Sequence, residues 1–129
     1  MKLYDPKVTP NATEWLALDE GERIRLAEVH HRIARVKLPN LMAHAVFHAI
    51  VENQIAEGLE PVIRAMNRLA DEGLSRHDAL HAIGSVLAEH LHETMTAKHQ
   101  DDPSTGQARY DAAVERLSAK EWRRQYGES

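Results

Sequence analysis

The stretch LMAHAVFHAIVENQIAEGLEPVIRAMNRLADEG, Leu41 to Gly73, decides the fold class. Its apolar residues recur at three- and four-residue spacing instead of alternating, and Ala, Leu, Glu and Arg dominate the composition of the chain, which selects helix over strand. Two glycines and a proline punctuate the run. Gly58 closes a helix predicted over about Leu41–Glu57; Pro61 suits the first turn of the next, over about Pro61–Glu72; Gly73 ends it. Asn40 is the capping residue expected in front of Leu41.

The helical reading extends both ways. Upstream, residues 1–12, with Pro6 and Pro10, read as extended or irregular, and a short turn of helix carries Trp15 and Leu16. Asp19 and Glu22 form a capping pair for a helix over roughly Glu20–Arg35, which Pro39 separates from the next. Downstream, Ser75 and Asp78 cap a helix that continues to about Lys98. HQDDPSTG reads as a polar link, and Gln107–Tyr126 as helix in two pieces, with Ser118 and Glu121 as the capping box at the break. The expected architecture is all-α: a single-domain helical bundle of about five helices, its core over about residues 13–98 and a helical segment over about 107–126.

A chain of 129 residues has the length of one domain and buries enough apolar surface to fold without disulfides or a structural metal. It contains no cysteine, so disulfides, thiolate zinc sites and cysteine nucleophiles are excluded, and any metal must be held by His, Asp or Glu. The opening MKLYDPKVTPN lacks the apolar core of a signal peptide, and no segment approaches the roughly 20 apolar residues that a bilayer span needs. A cytoplasmic protein with no membrane partner is expected. The formal charge is -4, with Lys and Arg scattered among acidic neighbours, so nucleic acid is not an expected partner either.

The nine histidines are dispersed, yet HAVFHAI, His44 to Ile50, returns as HDALHAI, His77 to Ile83. Helix positions four apart lie about 40° apart around the axis and about 6 Å along it, so they share a face. His44, His48 and Glu52 therefore form one stripe, and His77, His81, Ser85, Glu89 and His92 another. Glu28 and His31 have the i, i+3 spacing with which carboxylate-bridged di-metal bundles aim both ligands inward. If consecutive helices run antiparallel, His31, His48 and His81 fall at roughly 9–14 Å from a common end, Glu28, Glu52 and Glu89 at roughly 18–21 Å, and His44 and His77 a turn below the imidazole layer.

Such a layering makes His44, His48, Glu52, His77, His81 and Glu89 candidate metal ligands, with Glu28 and His31 a second tier. Imidazole with carboxylate suits zinc, iron or manganese, whereas magnesium demands more oxygen donors. An open coordination position there would support metal-assisted hydrolysis or oxygen chemistry. No organic cofactor is implied: the chain has neither a glycine-rich phosphate loop nor a G-x-S-x-G elbow. Substrate and catalytic residues are not identified at this level.

Two other readings compete. The histidine stripe is also compatible with the wet face of an otherwise apolar helix. In that case the chain is a non-enzymatic interaction module or homodimer with solvent-facing histidines, able to respond to pH near the ordinary imidazole pKa of about 6.5. Lys, Glu, Arg and Gln are the usual residues of a solvated face, and histidine twice at i, i+4 is an odd choice for one. The dipeptide His77-Asp78 also looks like the metal-binding pair of HD-type metal phosphohydrolases, with His48 available upstream. No Asp follows in a helix before Asp101. HDALH departs from the zinc-protease H-E-x-x-H helix by placing Asp78 where that motif has Glu. His30, His90, His92 and His99 read as surface residues, and Trp15, Phe47, Trp122 and Tyr126 as core or docking aromatics.

LPNLMAHAVFHAIVENQIA with RHDALHAIGSVLAEHL resembles a family of short bacterial proteins classed only as a domain of unknown function. The matching positions are Asn40, His44, His48, Gln54, His81, Leu87 and Glu89, over about residues 38–93. Ser85 stands where that pattern has its first Glu, which moves any carboxylate role on this helix to Glu89. The resemblance implies no activity.

Overall fold

The computed structural model describes residues 3–33, 41–95 and 103–126, the side chains at 31–33, 41–43, 103 and 126 excepted. Asn40 as a cap, the helix ends expected at Arg35 and Lys98, the ring of His31, His99 and the side chain of Tyr126 lie outside the described residues. Among those residues the regular structure is entirely helical, in seven elements: α1 (Ala12–Ala17), α2 (Glu20–Ile33), α3 (Leu41–Ala56), α4 (Glu60–Asp71), α5 (Arg76–Met95), α6 (Pro103–Arg116) and α7 (Ala119–Tyr126). The all-α class is as expected. The count is seven instead of about five, because the turn around Trp15 is a helix of its own and the C-terminal segment is two. The last pair also starts earlier, at Pro103 instead of Gln107: proline fits a first helical turn, where its missing N–H costs nothing. The chain divides into two compact units, Met1–Leu59 and Glu60–Ser129.

In the first unit α3 packs against α1 and α2. Asn11 accepts from the backbone N–H of Glu14 at 3.0 Å to start α1, and Asp19 accepts from that of Glu22 at 2.8 Å to start α2. Tyr4, Trp15, Leu26, Ala27, Ala45 and Ala49 form the apolar core, with Leu18, Ile24 and Ala56 packed against it. The fully buried indole of Trp15 donates to Asn53 Oδ1 at 2.9 Å. Arg23 ties this corner together. Its Nε donates to the carbonyls of Trp15 and Leu18, its Nη2 to that of Leu16, and its Nη1 to Asn53 Oδ1. Helix ends leave carbonyls without intrahelical partners, and one guanidinium fork here satisfies three around the end of α1.

In the second unit α4 packs on α5 and α6, and α5 also on α6 and α7. Val62, Ala65 and Leu69 are buried at three- and four-residue spacing on α4; Ala79, Leu80, Ala82, Ile83, Gly84 and Leu87 are buried on α5. Ser75 Oγ caps α5 at the N–H of Asp78, and Ser118 Oγ caps α7 at that of Glu121, both at 3.1 Å. Arg68 repeats the role of Arg23, donating to the carbonyls of Val114 and Leu117 at the end of α6. Glu72 accepts the N–H of Ala119 at 2.7 Å.

Gly58 and Gly73 end α3 and α4 with φ of 77° and 99°. At each, the glycine N–H returns to a carbonyl three residues back (Ile55, Ala70) and the next N–H to one five back (Gln54, Leu69). This double closure needs a left-handed residue, hence the glycine. No helix among the described residues is long and apolar enough to cross a membrane.

Candidate metal centre

Helix α3 carries its polar stripe into a buried environment. Ala45, His48, Ala49, Val51 and Glu52 are all buried, His48 at 3% exposure and Glu52 at 1%. A carboxylate and an imidazole held so far from water must be hydrogen-bonded to persist. Both meet the same partner. The hydroxyl of Tyr4 donates to Glu52 Oε2 at 2.5 Å and lies 3.2 Å from His48 Nδ1. The Tyr4 ring stands edge-on to that of His48, with centroids 6.0 Å apart and planes at 80°. His44, half-buried one turn earlier, places its ring centroid 5.2 Å from that of His48.

Helix α5 presents the second pair. The His77 and His81 rings, both half-buried, meet edge-on with centroids 4.3 Å apart. Ser85 donates its hydroxyl back to the carbonyl of His81 at 2.9 Å, so its side chain is turned to its own helix.

His44, His48 and His81 each offer one ring nitrogen, and these three atoms lie within 4.8 Å of one another. Zinc holds imidazole nitrogens at about 2.0–2.1 Å, so tetrahedral ligands stand roughly 3.4 Å apart. Drawing the nitrogens together by up to about 1.4 Å is the scale of small side-chain rotations, so the donor set fits a transition ion.

The remaining expected ligands are placed differently. Glu52 is committed to Tyr4, and neither it nor His77 or Asp78 belongs to the three-histidine group. Glu28 is half-buried on α2. Glu89 is exposed and borders an open recess of the second unit with Val86, His90, Glu93 and Arg109. A four-residue stripe drifts by about 40° per step, so Glu89 stands about 80° around the helix from His81. His30 and His90, read as surface residues, are half-buried beside tyrosines: His30 lies against Tyr4 and His90 against Tyr110.

Tyr4 was not among the residues singled out from the sequence. It occupies the irregular segment before α1, where no periodicity marks an inward side chain, and its partners lie 44 and 48 positions away. Its one local signal is that it is the aromatic residue of the opening MKLYDPKVTPN. No family model, curated protein or solved structure matches the chain.

Proposed function

We propose that the chain is a metal-binding protein in which His44 and His48 of α3 and His81 of α5 hold one transition-metal ion. The proximity of their three ring nitrogens carries this reading. Neutral imidazoles select zinc or ferrous iron ahead of manganese, calcium or magnesium, which favour oxygen donors. Three protein ligands leave a coordination position for water or substrate, the arrangement of catalytic ions and not of closed structural ones. Metal-assisted hydrolysis or oxygen chemistry is the class of reaction such an ion supports. His77, against the ring of His81, borders the site. The motif match to the domain-of-unknown-function family belongs to the same proposal and adds no activity to it.

The interaction-module reading draws less support, because the α3 positions Ala45, Ala49 and Val51 are already buried within a single chain. The HD-type reading draws less still, since neither His77 nor Asp78 is a member of the three-histidine group. The test is elemental analysis of protein purified without a nickel resin, alongside His48→Ala and His81→Ala. About one zinc or iron per chain is expected in the wild type, falling to a small fraction in both variants. Traces of metal in all three proteins would reject the proposal.

A further inference from the structure

We infer that Tyr4 and Glu52 are positioning residues that hold His48 in its Nδ1–H tautomer, so that the lone pair on Nε2 faces the metal. The inference rests on the metal-binding reading and adds to it the two residues that aim the ligand.

The proton count carries it. A phenol has one proton to give, and the carboxylate of Glu52 takes it at 2.5 Å. The contact of the same oxygen with His48 Nδ1, at 3.2 Å, then requires the proton to come from the imidazole. A neutral imidazole protonated on Nδ1 carries its lone pair on Nε2, the atom pointing away from Tyr4. The reverse arrangement would aim the phenol proton at the more distant nitrogen and strip the 2.5 Å hydrogen bond from a carboxylate that is 1% exposed. Burial makes the chain of contacts selective: Tyr4 is 4% exposed and His48 3%, so bulk water cannot substitute for either link.

Metal-bound histidines commonly donate their second ring N–H to a carboxylate or carbonyl, which fixes the ring and raises its basicity. Here a phenol stands between imidazole and carboxylate and passes the same polarisation on.

The test is the 15N spectrum of His48 in metal-free protein, at a pH well above the ordinary imidazole value of about 6.5. It is joined to zinc affinity measured by competition with a chromogenic chelator. Wild type should show a pyrrole-type Nδ1 and a pyridine-type Nε2. Tyr4→Phe should move His48 to a mixture of tautomers and weaken zinc binding by about 10–100-fold, the range for losing an outer partner of a metal ligand. Glu52→Leu should do the same if Tyr4→Phe does not fold. A wild-type His48 protonated on Nε2, or a folded Tyr4→Phe with unchanged tautomer and zinc affinity, would overturn the inference. Wild type that carries the expected tautomer yet binds no zinc would reject the metal reading and leave the orienting contact standing.

Discussion

Asn53 accepts the indole N–H of Trp15 at 2.9 Å across 38 positions of sequence, and through that one bond α3 fixes the aromatic centre of the first unit. The acceptor oxygen is shared with Arg23 Nη1 at 3.0 Å. Asn53→Ala strips the only polar group of a fully buried tryptophan of this partner, a change that costs about 1–3 kcal/mol. Arg23→Lys should be no milder, because an ammonium cannot reproduce a fork that spans three carbonyls and an amide. Urea unfolding followed by far-UV circular dichroism checks both. Unfolding midpoints equal to wild type would show that the corner does not hold the unit together.

The two left-handed glycines and one helical glycine should respond to alanine with opposite signs. Gly58→Ala and Gly73→Ala force a Cβ into positive φ and should each destabilise by about 1–2 kcal/mol. Gly106, inside α6 with nothing within 4 Å of a built Cβ, should gain about 0.5–1 kcal/mol as Gly106→Ala. Thermal melts of the three single variants settle the signs.

Acid should weaken the second unit in part through Glu115. Arg64 donates to both of its carboxylate oxygens, and this hydrogen bond, ahead of the charges of Arg64 and Arg68, holds the Glu115 carboxyl below the usual carboxylate range. A carboxyl whose folded pKa is lowered contributes stability that is complete above its unfolded pKa of about 4.3 and is lost as pH falls through the folded value. Both side chains are solvent-accessible, so the contribution is small. Stability measured between neutral and strongly acidic pH should fall less steeply in Glu115→Gln than in wild type.

Much of the fold was legible because capping chemistry is local. Asp19 with Glu22, Ser75 with Asp78, Ser118 with Glu121, and Gly58 and Gly73 mark helix ends within a residue or two of those observed. Tyr4 was not legible, because its burial comes from contacts with residues far along the chain. The site was legible in part. His44 and His48 share a face of α3 as helical spacing predicts, whereas Glu89 turns to solvent through the drift of a four-residue stripe. Glu52 was singled out from that stripe as a ligand. Its partner is Tyr4, a residue that no reading of α3 alone supplies.

Zinc affinity should separate the histidines from the outlying carboxylate. His44→Ala removes one of three ligands and should cost more than the roughly 10–100-fold attached to an outer hydrogen-bond partner. Glu89→Gln, on the exposed face of α5, should leave affinity at the wild-type value. Chelator competition on both variants makes the comparison, and equal affinities for the two would put the ligands elsewhere.

The most direct measurement is an anomalous-difference map from crystals of zinc-loaded protein, collected on both sides of the zinc absorption edge. One peak is expected at about 2.0–2.1 Å from a ring nitrogen of each of His44, His48 and His81, with Nε2 as the contacting atom of His48. Zinc bound only at exposed carboxylates and surface histidines such as Glu89 and His92, with no peak among the three rings, would contradict it.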